Sequence, residues 1–170
     1  MTKRKVIGLF VLFVLLASTI FFTIEKYYAR KKAKMRLQLF DQLPLVGLDS
    51  TAFDYSLFSK DDISIIVYIN TDCQPCRDQA IELKNGVNEL VNSSILFISS
   101  ESICKIERFS NELNLRSVDN MFFSKMNESD VFTVFGSVGT PQVFLYNNEG
   151  KLLKEFRGSV NIETITKYIK

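Results

Sequence analysis

The sequence predicts an α/β domain in which helices flank a central mixed β-sheet, preceded by one N-terminal transmembrane helix. Ile63–Ile69 is rich in β-branched residues and almost entirely apolar, as expected for a strand buried on both faces of a sheet. Ser94–Ser99 is a second such run, and a helical pattern follows each of them, which predicts parallel strands joined by helical crossovers. The turn Asn147–Gly150 separates two later apolar runs and predicts a β-hairpin that adds an antiparallel edge.

The N-terminal segment predicts a membrane anchor. Val6–Ile24 contains no charged residue, and a helix of this length extends about 28 Å, close to the ~30 Å hydrocarbon core of a bilayer. Three basic residues precede the run and two tyrosines follow it, where amphipathic rings favour the interface. A cleaved signal peptide is the alternative, but the run is long for one and no clear cleavage site follows it. We therefore divide the chain into a basic N-terminus (1–5), an anchor (6–28), a basic helical linker (29–42) and a folded domain (43–170).

Charge is distributed unevenly along the chain. Residues 1–36 contain 9 of the 21 Lys and Arg residues but one of the 19 Asp and Glu residues. The rest of the chain therefore has 12 basic and 18 acidic residues, and this acidic balance argues against nucleic-acid binding. A count of basic residues around the anchor favours a cytoplasmic domain, whereas a short basic N-terminus before a single span also anchors exported domains. The linker either contacts anionic headgroups of the lipid bilayer or forms a solvated helix.

The chain contains no histidine and three cysteines. The lack of histidine excludes histidine-based acid–base catalysis and most zinc or copper ligand sets. Three cysteines are too few for a disulfide-stapled scaffold. The expected chemistry is therefore that of cysteine, with no cofactor and no bound metal.

Weaker signals outline the rest of the domain, which begins near Leu43 and Pro44. Residues 45–58 alternate between apolar and polar side chains and predict a small strand pair, whereas residues 116–128 carry no clear signal. The other predicted elements are a helix from Cys73 to about Val91, a helix over 102–115, a short helix over 130–135 ended by Gly136, strands over 142–146 and 151–156, and a helix from Asn161 to Lys170.

Two cysteines separated by two residues lie between the first predicted strand and its helix. Cys73 is placed at the N-terminus of that helix, where the partial positive charge and free backbone N–H groups stabilise a thiolate. The thiolate is the form of cysteine that attacks disulfides. Pro75 suits the first helical turn, because its missing N–H would have no partner there.

The second cysteine heads an apolar stripe on the same helix. Cys76 is followed at helical spacing by further apolar residues, so it should be less exposed than Cys73. We therefore expect Cys73 to attack a substrate disulfide and Cys76 to resolve the mixed disulfide. The stripe consists of Cys76, Ala80, Leu83, Val87 and Leu90.

Thr140 and Pro141 precede the first strand of the predicted hairpin. A proline before an apolar strand and after a glycine-containing bend is a candidate for a cis peptide bond. An ordinary trans proline at the start of a strand is the alternative. A strand, a cysteine pair and a helix upstream favour the cis form.

Two segments, Val67–Arg77 and Phe135–Gly150, make the chain resemble the thioredoxin superfamily. It is most similar to the membrane-anchored TlpA/ResA-like thiol-disulfide oxidoreductases, which adjoin the redoxin (AhpC/TSA) group, with looser similarity over residues 43–170. The resemblance implies that Pro141 is cis, packs against the cysteines and, with Thr140, helps to bind the substrate backbone. It also implies a single-pass protein of the bacterial cytoplasmic membrane with its domain on the periplasmic or extracytoplasmic side.

Three positions depart from the usual pattern of that family. Asp72 stands where the family usually has Trp, and a carboxylate next to Cys73 is expected to oppose thiolate formation. Val67 stands where thioredoxin has a buried acid, and Gln-Pro replaces the commoner Gly-Pro between the cysteines. Asp72 and Pro75 are therefore expected to modulate the redox pair.

The leading hypothesis is a membrane-tethered enzyme that exchanges its Cys73 and Cys76 dithiol or disulfide with cysteines of exported proteins. A membrane redox partner would recycle the pair. The alternatives are a redoxin-type thiol peroxidase and a non-catalytic thioredoxin-fold binding module with a structural disulfide. The pair is also half a zinc site, but only Cys104 and carboxylates remain as further ligands. Cys104 itself is either a partly buried free thiol or a third redox cysteine.

Overall fold

The computed structural model describes residues 12–25, 27, 43–57, 63–136 and 139–169. Residues 12–25 form helix α1, whose side chains are exposed. Among the described residues, no helix combines the length and the apolar character needed to cross a membrane. The predicted anchor also includes residues outside the described ranges, and the predicted N-terminus (1–5) and linker (29–42) lie wholly outside them.

A six-stranded mixed sheet forms the centre of the fold and confirms the predicted architecture. Its spatial order is β1-β4-β3-β2-β5-β6. The neighbours β2, β3 and β4 are parallel, whereas β1, β5 and β6 each run antiparallel to the strand they pair with. The strands are β1 (Leu45–Gly47), β2 (Ile63–Tyr68), β3 (Ser93–Ser99), β4 (Met121–Met126), β5 (Gln142–Tyr146) and β6 (Leu152–Arg157).

Helices cover both faces of the sheet and enclose two apolar clusters. One cluster lies between the sheet and α2, α3 and α5, and the other lies between the sheet and α4. Ile65, Ile66 and Val67 of β2 are fully buried, which confirms that this strand is covered on both faces. The helices are α2 (Gln74–Asn85), α3 (Ile103–Glu112), α4 (Glu128–Phe135) and α5 (Ile162–Thr166).

Helix α2 is shorter than predicted. It ends at Asn85, and a 3-10 turn over Val87–Glu89 follows it. Gly86 lies directly against Ile162 of α5, and a Cβ atom at Gly86 would approach the Ile162 side chain to 2.4 Å. The close approach of α5 therefore requires glycine at this position, and this contact could not be read from the helical periodicity.

Other differences concern short or irregular elements. Strand β4 lies in the segment 116–128 that carried no clear signal, because polar Ser124 and Lys125 interrupt its apolar pattern. The predicted strand pair over 45–58 is reduced to β1, one isolated bridge and a 3-10 turn over Tyr55–Leu57. Helix α5 ends at Thr166, earlier than predicted.

Three chain segments meet at one end of the sheet. The parallel strands β2 and β3 both end there, and the antiparallel strand β5 begins there, since Tyr68 pairs with Gln142. The turn before Cys73, the loop before α3 and Pro141 therefore lie at the same edge. This edge is the carboxyl end of the parallel strands, where open α/β sheets place their sites.

Candidate active site

Cys73 occupies the N-cap position of α2. Its carbonyl oxygen accepts hydrogen bonds from the backbone N–H groups of Cys76 and Arg77, at 3.1 and 3.2 Å. The Cys73 side chain makes no capping hydrogen bond to this helix, and the first turn of the helix contains no acidic residue. The half-buried Cys73 therefore lies at the partial positive end of α2.

Cys76 lies one turn further along α2 and is fully buried. Burial, together with a hydrogen bond with the Cys73 side chain, raises the pKa of the Cys76 thiol to about 12. Cys76 therefore remains a protonated thiol at neutral pH. The expected order of exposure, with Cys73 more accessible than Cys76, is confirmed.

Thr140 and Pro141 lie beside the cysteine pair. The Cys73 thiol donates a hydrogen bond to the Thr140 carbonyl oxygen over 3.7 Å. The Thr140–Pro141 peptide bond is cis, and Pro141 is buried. The structure thus brings together the four residues that the sequence singled out from two distant segments.

Pro75 lies in the first turn of α2, as predicted, and is exposed. Its carbonyl oxygen accepts a hydrogen bond from the Ser159 hydroxyl at 3.4 Å. This contact links the residues between the two cysteines to the loop that precedes α5.

Asp72 is not an isolated charge beside Cys73. Its carboxylate is exposed and forms an ion pair with Lys105 at 2.8 Å. Lys105 also pairs with Glu101 at 2.9 Å. Hydrogen bonds with Asp72 and Glu101 raise the pKa of Lys105 above its usual range. The carboxylate that precedes Cys73 is therefore paired with a positive charge, which the sequence did not show.

Glu101 fixes the turn that leads to Cys73. One of its carboxylate oxygens, Oε2, accepts a hydrogen bond from the Thr71 backbone N–H at 2.6 Å. Burial opposes ionisation of Glu101, but interactions with Lys105 and Thr71 outweigh it and lower the pKa of the carboxyl. Glu101 and Lys105 together hold both Thr71 and Asp72. Sequence reasoning missed both residues: their i, i+4 spacing indicates a helical ion pair but not a contact with a distant turn.

Gln79 connects α2 to the loop before α5 and was also missed. Its side chain is 1% exposed. Its amide nitrogen donates to the Val160 carbonyl oxygen at 3.0 Å, and its amide oxygen accepts from the Val160 N–H at 2.6 Å. Both polar groups of the buried Gln79 amide are hydrogen-bonded to the backbone of Val160. These bonds fix the position of α2, the helix that bears the cysteines.

Solved structures of similar fold were found for this chain. No family model and no curated protein matches the sequence. A secreted disulfide oxidoreductase of Mycobacterium tuberculosis, homologous to E. coli DsbE, is 14% identical with a TM-score of 0.58, and the match covers 79% of this chain and 96% of that chain. The exposed lipoprotein thioredoxin Etrx1 of Streptococcus pneumoniae is 17% identical with a TM-score of 0.59, covering 74% and 95% of the two chains. A peroxiredoxin-like protein of Aquifex aeolicus is 14% identical with a TM-score of 0.57, covering 74% and 80%.

The chain has a thioredoxin fold. Val67, which the resemblance in the sequence matched to the buried acid of thioredoxin, is fully buried. No Asp or Glu is among the buried side chains of the described residues. Glu101 and Lys105, which are not buried, instead bring charged groups to the turn before Cys73.

Cys104 lies near the start of α3 and is an exposed free thiol, not the partly buried one expected from the sequence. It is the second residue of the helix, on the side away from Ile106 and Phe109, which face the core. In the described ranges, no three His, Cys, Asp or Glu side chains are placed to bind a metal ion.

Proposed function

We propose that this protein is a membrane-tethered thiol-disulfide oxidoreductase that exchanges a Cys73 and Cys76 dithiol or disulfide with cysteines of exported proteins. One observation carries the proposal: the accessible sulfur of Cys73 lies at a helix N-terminus, and the buried Cys76 thiol is hydrogen-bonded to it. This pairs a nucleophile with a resolving thiol in the two positions that disulfide exchange needs.

The thiol–disulfide exchange proceeds in two steps through a mixed disulfide. The Cys73 thiolate attacks one sulfur of a substrate disulfide, forms a mixed disulfide and displaces the other substrate sulfur as a thiolate, which takes up a proton. Cys76 then loses its proton and attacks the Cys73 sulfur, releasing the second substrate sulfur as a thiol. The protein ends with a Cys73–Cys76 disulfide and the substrate with two thiols, so two electrons have passed to the substrate. The reverse sequence oxidises a substrate dithiol.

Thr140 and Pro141 are proposed to bind the substrate backbone next to the reacting sulfurs. The Thr140 carbonyl oxygen already accepts a hydrogen bond from the Cys73 thiol, so it lies within reach of a sulfur attached there. Pro75 and Asp72 are proposed to modulate the pair, since they adjoin the two cysteines in the chain and Asp72 brings a charge whose partner is Lys105.

A membrane tether and an exported domain are part of the same proposal. The uncharged run Val6–Ile24 supports the tether. Within it, the hydroxyls of Ser18, Thr19 and Thr23 each donate to a carbonyl oxygen three residues earlier at 2.8 Å, so these polar groups are satisfied inside the helix. Proteins of similar fold that are secreted or exposed support the extracytoplasmic side. A membrane redox partner would restore the pair after each cycle.

Trapping of mixed disulfides in the native host tests the proposal. The Cys76→Ser variant keeps the nucleophile but lacks the resolving thiol, so we expect it to accumulate adducts through Cys73 that a reductant releases. The matched control, Cys73→Ser, should accumulate none. If Cys76→Ser forms no adducts and the wild-type pair is always oxidised, the pair is a structural disulfide. Rapid consumption of hydroperoxide that depends on Cys73, without protein adducts, would instead identify a thiol peroxidase.

A further inference from the structure

A cleft of about 160 Å³ opens between the turn before Cys73, α2 and α3. It adjoins the reactive cysteine on two sides: Asp72 directly precedes Cys73, and the Arg77 N–H donates to the Cys73 carbonyl oxygen at 3.2 Å. Cys73 does not line the cleft, and its thiol is directed to the Thr140 carbonyl oxygen, but the neighbouring Asp72 does line it, so a side chain a few residues from a cysteine bound to Cys73 can reach the cleft. The cleft is lined by Thr71, Asp72, Arg77, Lys105, Arg108, Phe109 and Glu112.

Lys105 of the cleft is shared by two carboxylates, those of Asp72 and of Glu101 outside the lining, so the positive charge that stays without a carboxylate partner among the described residues is that of Arg108. Three of the lining residues are cationic and two are acidic, and both acids already have partners. Asp72 pairs with Lys105 at 2.8 Å, and Glu112 pairs with Arg77 at 3.0 Å. Arg108 is exposed and has no ion pair with any residue that the structure describes.

The arginines leave hydrogen-bond donors available for a ligand. The Arg77 guanidinium lies over the buried Phe109 ring, 5.9 Å from its centroid, and bonds Glu112 through one of its terminal nitrogens. A guanidinium has five N–H donors in a planar fork, so donors of Arg77 remain free and all those of Arg108 are uncommitted to a carboxylate. This geometry matches a carboxylate better than a cation or an apolar group.

We propose that the cleft binds the carboxylate of an acidic residue that flanks the reactive cysteine of the substrate protein. The inference rests on the proposed function and adds a substrate class to it. The contrast between the cleft and the rest of the domain supports a carboxylate as the ligand. Residues 37–170 carry 18 acidic against 12 basic residues, whereas Arg108 brings to the cleft a positive charge that is unpaired among the described residues. An acidic substrate segment is repelled by most of such a surface and is attracted at this cleft, which directs its cysteine to Cys73.

Matched peptides test the proposal with the reduced full-length chain in a mild detergent. Each peptide contains one cysteine, held as a mixed disulfide with mercaptoethanol, and carries Glu, Gln or Lys two residues from the cysteine on either side. Reaction converts the peptide disulfide into two thiols and leaves the Cys73–Cys76 disulfide. We expect the wild type to react with the best Glu peptide about threefold to tenfold faster than with its Gln counterpart, a preference that falls as salt is added.

Variants of Arg108 decide whether the cleft is responsible. Arg108→Gln should reduce the preference for Glu over Gln to less than about twofold, and Arg108→Glu should shift it toward the Lys peptide. Lys151→Gln removes one positive charge in the β5–β6 turn, outside the cleft, and should keep the wild-type preference. Equal rates for all peptides with the wild type would overturn the inference while leaving the proposed function intact. Reaction with none of the peptides would overturn the proposed function and, with it, the inference.

Discussion

The low reactivity expected of the buried Cys76 thiol can be tested in chains that keep a single cysteine. A chain carrying Cys73→Ser and Cys104→Ser keeps Cys76 as its single cysteine. Burial is the largest cause of the raised pKa of Cys76 and remains in this variant, although the hydrogen bond with the Cys73 sulfur is lost. A chain carrying Cys73→Ser and Cys76→Ser keeps the exposed Cys104 and serves as the reference.

The size of the expected difference follows from the ionisation of the thiol. At pH 8, a thiol that keeps the wild-type pKa of about 12 is ionised to about one part in 10⁴, whereas an ordinary cysteine is about one-quarter ionised. Losing Cys73 lowers the pKa of Cys76, so the slowing worked from the wild-type value is an upper limit for the variant. The smaller thiolate fraction alone therefore lowers the reaction rate of Cys76 about 2,000-fold. The higher nucleophilicity of its thiolate raises that rate again by about 40-fold. The net result is a reaction about 50-fold slower than that of an ordinary thiol, before the barrier from complete burial is added.

The measurement is the rate of reaction of each single-cysteine chain with a small aromatic disulfide, followed by absorbance of the released thiol. Below its pKa, Cys76 should gain about tenfold in thiolate for each pH unit, so its rate should rise from pH 7 to 10 without levelling off. A Cys76 rate at pH 8 within about fivefold of the Cys104 reference, or a plateau near the ordinary pKa of about 8.5, would refute this account of the buried thiol.

Two further predictions concern the contacts that hold the site. Gln79→Met removes two hydrogen bonds to the backbone with little change in volume, and it should lower the free energy of unfolding in urea by about 2–3 kcal/mol. The same change at exposed Gln74 of the same helix should cost less than about 0.5 kcal/mol, and equal losses at both positions would contradict this reasoning. Lys105→Met leaves the Asp72 carboxylate unpaired, so it should slow alkylation of Cys73 at pH 7 by about twofold to threefold. Adding Asp72→Asn should restore the rate, and slowing that persists in the double variant would show that Lys105 does not act through Asp72.

Regular, strongly patterned segments were predictable from local sequence. The buried strands β2, β3 and β5 and the helix that begins at the cysteine pair each show a simple hydrophobic pattern. Strand β4 was not predictable, because its pairing with β1 and β3 is made through the backbone and its side chains do not alternate. The close packing of Gly86, at the end of α2, against Ile162 comes from a helix more than seventy residues later.

The candidate site divides in the same way. Cys73, Cys76 and Pro141 are recognisable because their types and spacing relate them to adjacent strands and helices. Glu101, Lys105 and Gln79 have no such signal, since an ordinary charged or amide side chain is compatible with any exposed helical position. Their roles appear when chain segments about 30 and 80 residues apart meet at the edge of the sheet.

The sequence by itself determined the chemistry of this protein: a cysteine pair at a helix N-terminus, no histidine, and an uncharged run long enough for a membrane anchor. These are local properties, and residue type and periodicity are enough to define them. The tertiary structure alone decided which side chains surround the cysteine pair. The ion pair of Asp72, the carboxylate that holds Thr71 and the cleft lined by Asp72 and Arg108 all require α3 to pack next to the turn before α2. Such contacts depend on the packing of distant segments, which no local pattern encodes.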